Sequence, residues 1–266
     1  MLRARIFTAI VLVAVLLLVL LVLPPMAATL AVALAVLAGA WEWSGFLGLV
    51  QRVPRLAYVG LVGLVGALAL LTTELLVDPR PVLWTALAWW ALAFVWVLRF
   101  PRPIGRQVAA LCGFAVLLPL WLVLALLVTR PGDGPLLVLL LLVIVWAADI
   151  GAYFAGRAFG RVKLAPQVSP GKTWEGVLGG LVAALLVAAA GAQALSLPVV
   201  GMLLLTPALV MISVLGDLTV SMFKRNAGLK DSGRLLPGHG GILDRVDSLS
   251  AAAPLFLLGL GWLGAG

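Results

Sequence analysis

The stretch Leu136-Leu-Val-Leu-Leu-Leu-Leu-Val-Ile-Val-Trp146-Ala-Ala-Asp149-Ile-Gly-Ala-Tyr153-Phe154 is apolar along its length except for one carboxylate. It matches the ~20 residues that a helix needs to cross a hydrocarbon core of about 30 Å. Stretches of the same kind recur on both sides. They are Ile6–Leu23, Met26–Val50, Leu56–Val77, Val82–Leu98, Val108–Val128, Trp174–Ala194, Val199–Met222 and Ser248–Leu263. Pro24-Pro25, Asp78-Pro79-Arg80-Pro81, Pro101-Arg102-Pro103 and Arg130-Pro131-Gly132-Asp133-Gly134-Pro135 separate them with turn chemistry, and the slightest break lies at Ser196–Pro198. The pattern predicts an all-α, polytopic membrane bundle of about nine transmembrane helices. Met1-Leu-Arg-Ala-Arg5 followed by an apolar run of spanning length reads as a retained first helix, since a signal-peptide core is usually shorter.

Composition agrees. Of the 266 residues, 64% are apolar and 11% charged, too few charges to cover a water-facing surface. The lone cysteine, Cys112, excludes an internal disulfide and reads as a packing residue in an apolar run. The net charge of +8 need not mean nucleic acid. Alternate loops sort the basic residues sharply: Arg80 and Arg130 fall on one side, and the remaining sixteen of 18 on the other. This positive-inside asymmetry puts the N-terminus in the cytoplasm and the C-terminus on the opposite side. Trp41, Trp43, Trp89, Trp90 and Trp96 lie towards segment ends, where indole rings favour the interface.

Two cytoplasmic loops hold most of the unusual residues, Asp149–Glu175 and Asp217–Asp247. The chain divides accordingly into N-terminal helices over 1–145 and a membrane region over 146–266 that carries both loops. Asp149 and Asp217 adjoin strongly apolar sequence, where a carboxylate either snorkels to the interface or faces a polar cavity. Asp217, Ser221 and Lys224 follow at i, i+4 and i+7 and share a helical face. Asp244 and Asp247 share another, either as charges favoured near a helix N-terminus or as hard oxygen ligands suited with Asp217 to Mg2+. Lys224, Arg225, Lys230, Arg234 and Arg245 fit phosphate binding and positive-inside placement equally. Ser169-Pro-Gly-Lys172-Thr173 lacks the upstream glycine of a P-loop, has Pro166 there instead, and follows no expected strand. Lys172 is thus a phosphate contact or a solvated loop lysine.

The stretch Ser221-Met-Phe-Lys224-Arg225-Asn-Ala-Gly-Leu-Lys230-Asp231-Ser-Gly-Arg-Leu-Leu-Pro237-Gly-His239-Gly240-Gly241-Ile-Leu-Asp244-Arg245-Val-Asp247 closely resembles the signature of the phosphatidate cytidylyltransferase family. Asp149-x-Gly-Ala-Tyr153 and Ser169-Pro-x-Lys172-Thr173-Trp-Glu175-Gly176 also resemble it, with Gly171 where a second lysine is frequent. The resemblance covers Trp146 to Leu249. It implies that CTP and phosphatidate react to CDP-diacylglycerol and pyrophosphate with Mg2+, and with room for a second metal ion. It also implies a homodimer in the cytoplasmic (inner) membrane. On that basis Asp217, Lys230, His239, Asp244 and Asp247 are candidate catalytic residues. Ser169, Lys172, Thr173, Ser221, Lys224, Arg225 and Arg245 are candidates for substrate binding, and Asp217, Asp244 and Asp231 for the metal. A nucleotidyltransferase for another lipid phosphate is the near alternative. An ion-coupled transporter is remote, since no internal repeat is visible and polar residues crowd one side.

Overall fold

The computed structural model describes residues 2–75, 78–233, 235 and 240–264. Over these the chain forms α1 (Leu2–Leu21), α2 (Pro25–Phe46), α3 (Arg52–Leu75), α4 (Arg80–Arg99), α5 (Arg106–Thr129) and α6 (Gly134–Phe159). A short hairpin follows, β1 (Lys163–Ala165) and β2 (Ser169–Thr173), and then α7 (Trp174–Ala194), α8 (Val199–Asn226) and α9 (Leu243–Trp262). Seven of the helices, α2 to α8, are long and apolar enough to cross a membrane. The protein is an all-α polytopic membrane protein, with one small antiparallel hairpin added.

The helices form where apolar runs exceed spanning length, and they stop where proline or glycine breaks the backbone ladder. Three expectations need correction. Asp149 does not end its helix: α6 continues through Gly151 and Gly156 to Phe159. Likewise α8 runs through Lys224 and Arg225 to Asn226, so the second cytoplasmic loop is shorter than the residues suggest. Basic residues in a last turn suit the helix dipole and need not end a helix. Thirdly, a strand does precede Ser169–Thr173: β1 pairs with it, Lys163 opposite Thr173 and Ala165 opposite Ser169, with an irregular register between.

The chain forms two compact units that interleave in sequence. The first comprises Met1–Pro79, Ile104–Val138 and Phe223–Val246; the second comprises Arg80–Pro103, Leu139–Met222 and Asp247–Gly266. In the first, α5 packs against α2 and α3. Within a bilayer, apolar burial does little to drive helices together, so tight packing and interhelical hydrogen bonds must do it. Both occur here. Trp43 is wholly buried, its indole N–H donates to Ala109 O at 2.9 Å, and its ring lies 5.0 Å from that of Phe223. Gly113 admits the ring, since a Cβ there would lie 2.7 Å from it. Trp43 and Trp90 are enclosed by protein, with 0% and 1% exposure, so neither ring lies on the outer surface. Cys112 is buried, as a packing residue should be.

In the second unit, α6 and α7 approach along a line of small residues. A Cβ on Gly151 would lie 2.7 Å from Gly179 O, and one on Gly180 would lie 3.2 Å from Ala148 C. The hairpin extends from this pair of helices. Trp174 N donates to Val162 O at 3.0 Å, closing it, while Val162 N donates to the Glu175 carboxylate at 3.1 Å.

Candidate active site

Each unit contains one cluster of charged residues drawn from the expected set. In the second unit, β2 holds Lys172 with its ammonium 2.7 Å from Asp217 Oδ2. Asp217 Oδ1 accepts the Ser221 hydroxyl at 3.0 Å, one helical turn on along α8. Both charged side chains are about a quarter exposed, so the pair is reachable from water. Ser169, at the start of β2, is half-buried. Thr173 is buried and serves as the N-cap of α7, its hydroxyl accepting Gly176 N at 3.1 Å. Such a cap satisfies one of the unpaired N–H groups at a helix start. Asp247, also buried, accepts Ser248 N at 2.8 Å.

In the first unit, Lys224 Nζ lies 2.7 Å from Asp244 Oδ1, each side chain 11% exposed. Asp244 Oδ2 accepts Ser232 N at 3.0 Å and Gly241 N at 3.1 Å. Asp244 stands in the first turn of α9, ahead of the apolar segment from Ser248. Burial pushes its carboxyl up, but the Lys224 hydrogen bond and charge, with the two backbone N–H groups, outweigh this and hold it below its ordinary value. Arg225 donates to Leu229 O at 3.2 Å, which fastens the turn after α8. Lys230, Asp231 and Arg245 are exposed. His239 and Arg234 lie outside the described residues.

Can these residues hold a divalent cation? Among the described residues, no three histidine, cysteine, aspartate or glutamate side chains gather as a metal cluster. Mg2+ does not require that: it commonly takes one or two carboxylates and leaves the rest to water and substrate phosphate. Gly240 supplies a fitting observation. Its φ of +80° favours glycine, and a Cβ there would lie 2.9 Å from Asp244 Oδ2 and 4.0 Å from Asp231 Cβ. The glycine thus lets the chain pass close to two of the expected ligands. Their hard oxygen donors suit the cation in kind.

Sequence reasoning missed Glu42. It lies in α2, is 2% exposed, and accepts hydrogen bonds from Ser232, Ile242 and Leu243. The signal was present: Glu42 is a carboxylate inside the apolar run Met26–Val50, the feature that singled out Asp149 and Asp217. Its partners, some 190 to 201 residues away, were not readable from the sequence.

The model of the cytidylyltransferase family matches residues 3–262. A Pseudomonas aeruginosa protein named phosphatidate cytidylyltransferase is 46% identical, over 98% of this chain and 99% of its own length. One of the same name from Haemophilus influenzae is 41% identical, over 96% and 97%. A Bacillus subtilis protein, again so named, is 48% identical over 44% of this chain and 45% of its own. With its membrane helices, its paired lysines and aspartates and a match running almost end to end, the chain belongs to the cytidylyltransferase family.

Proposed function

We propose that this protein transfers the cytidylyl group of CTP to phosphatidate, giving CDP-diacylglycerol and pyrophosphate for phospholipid synthesis. The observation that carries this reading is the likeness, over nearly the full length of both chains, to the two phosphatidate cytidylyltransferases. The charged clusters support it, because lysine–aspartate pairs in so apolar a chain supply what a phosphoryl transfer between two anions needs.

An oxygen of the phosphatidate phosphate attacks the α-phosphorus of CTP. The bond from that phosphorus to the bridging oxygen breaks, and pyrophosphate leaves with the electron pair. The nucleophile is already ionised at neutral pH, so positioning and charge neutralisation carry the catalysis. Lys172, Lys224, Arg225, Lys230 and Arg245 offset the phosphate charges, and Ser169 and Ser221 supply hydroxyl donors. His239 donates a hydrogen bond to the departing pyrophosphate. Thr173 acts through its cap, holding β2 to α7. Asp217 and Asp244 are the carboxylates that would hold Mg2+, with Asp231 and Asp247 supporting, and the ion would offset charge on the transferred phosphoryl group. A second ion has room in this scheme. The protein works as a homodimer in the cytoplasmic membrane, with nine crossings and the reactive loops in the cytoplasm. Soluble CTP there meets a lipid headgroup without either crossing the bilayer.

The test is pyrophosphate release from purified protein in detergent, given CTP and Mg2+ with and without phosphatidate. Release that needs both lipid and metal, with CDP-diacylglycerol as product, supports the assignment. Asp217→Ala and Asp244→Ala should each abolish the metal-dependent turnover, and near-normal rates in both would sink the ligand assignment. Turnover with a polyprenol phosphate but not with phosphatidate would give the chain a different lipid substrate.

A further inference from the structure

We infer that Glu42 is a positioning residue for this reaction: from α2 it ties Ser232, in the loop between α8 and α9, to the start of α9 and so fixes Asp244. The inference rests on the cytidylyltransfer reading for its activity arm alone. Its geometry lies within the first unit.

Glu42 uses both of its oxygens. Oε2 accepts the Ser232 hydroxyl at 3.0 Å and Leu243 N at 2.8 Å, while Oε1 accepts Ile242 N at 3.0 Å. Ser232 lies in the loop, six residues past the end of α8, and Ile242 and Leu243 close it at the start of α9. Asp244 ties the same two points from the other side, through Ser232 N and Gly241 N. Ser232 is thus held twice, by its hydroxyl to Glu42 and by its amide to Asp244. The side chain that bears on Lys224 therefore takes its position from a neck that Glu42 clamps.

Steric evidence points the same way. A Cβ on Gly233 or Gly241 would run into the Glu42 carboxylate, so both glycines leave it a passage. A buried carboxylate is costly unless its lone pairs are used, and a helix core position would ordinarily be apolar. Here every partner is a hydrogen donor, which suits an acceptor-only group. Glutamine would turn one of the two oxygens into an amide that faces an N–H group. Glu42→Gln therefore keeps the shape and loosens the bracket.

The experiment compares wild type, Glu42→Gln and Ser232→Ala, full-length and purified in detergent. Hydrogen exchange is followed at the amides of Ser232, Gly241, Ile242 and Leu243. Steady-state kinetics are measured with CTP, Mg2+ and phosphatidate. In Glu42→Gln, exchange at those amides should quicken while α5 keeps its protection. Its kcat should fall roughly tenfold to a hundredfold, as for a misplaced catalytic group, with KM for phosphatidate within about twofold. Ser232→Ala, which removes one bond of the three, should shift both readings in the same direction by less, and it decides the matter if Glu42→Gln does not fold. Unchanged exchange together with wild-type kcat would overturn the inference. So would an exchange increase spread evenly over α2 and α5, which marks a merely structural role. If wild type itself made no CDP-diacylglycerol while the loop amides still responded, the bracket would stand and the reaction assignment would fall.

Discussion

Lys224 and Asp244 show how a charged pair is kept in a largely apolar chain. Each side chain is 11% exposed, so each has given up most of its hydration. Their 2.7 Å contact, with the N–H groups of Ser232 and Gly241 on the second oxygen, compensates for that loss. Removing one partner strands the other. Lys224→Met should thus lower stability by about 3 kcal/mol, since breaking a buried pair leaves an uncompensated charge. The double variant Lys224→Met/Asp244→Asn should recover a large part of this, because the remaining groups are neutral. Thermal unfolding in detergent measures both. If the double variant lost as much as the sum of the singles, the two side chains would not be acting as a pair. How far such a pair can be read from sequence depends on separation. Asp217 and Ser221 share a face of α8 because they are one turn apart, and spacing alone shows it. The pairing of Lys224 with Asp244 spans a loop, and that of Glu42 with Leu243 spans most of the chain, so no period in the sequence encodes either.

Elements with a strong physical signature stand where the residues put them. Trp174–Ala194 is α7 to the residue, because a threonine cap precedes it and Leu195–Pro198 turns after it, with Ser196 at a positive φ of 53°. The hairpin was not legible. Ser169-Pro-Gly-Lys-Thr173 has no alternation of apolar and polar residues, and its pairing depends on Trp174 and Glu175 fastening Val162. That anchoring requires α6 and α7 to lie close together, which is a prediction at this scale. A Cβ on Gly179 would overlap that of Ala155 and lie 3.1 Å from Gly151 O. Gly60, in the middle of α3, has no such neighbour within 4 Å. Alanine is the better helix former by ~0.8–1 kcal/mol, so propensity alone would stabilise both variants. Gly60→Ala should leave the unfolding temperature unchanged or raise it. Gly179→Ala should lower it, because the clash involves backbone and a short side chain that cannot swing away. It should also reduce turnover by displacing Lys172 on β2. Equal responses from the two variants would mean that close approach of α6 and α7 is not what holds the hairpin.

At the scale of the whole chain, the sorting of basic residues makes a claim that local contacts can check. It assigns the C-terminal end of α2, the loop before α5, the end of α8 and the start of α9 to one side of the membrane. The first unit joins these very segments: Glu42 with Leu243, and Ile104 with Asn226 through reciprocal hydrogen bonds of 2.9 and 3.1 Å. Segments at opposite faces of a bilayer could not meet in this way, so an even number of crossings must separate them. The ends are where the sequence is least decisive. The apolar stretch Phe7–Leu21 of α1 is short, and the first turns of α9 hold Asp244, Arg245 and Asp247. Carboxylates near the start of a helix are tolerated at an interface, and the apolar remainder from Ser248 to Trp262 is about 22 Å long at 1.5 Å per residue, so it crosses only where the bilayer thins around it or the flanking residues snorkel. Nine crossings would then leave the C-terminus outside the cytoplasm. Reporter fusions decide between the possibilities. A fluorescent protein that matures only in the cytoplasm should glow when fused after Gly228, and alkaline phosphatase, active only outside, should work when fused after Gly266. Cytoplasmic fluorescence at both positions would mean that α9 enters the membrane and does not cross it. Asp247 would then belong to a re-entrant segment, and the bundle would close with eight crossings.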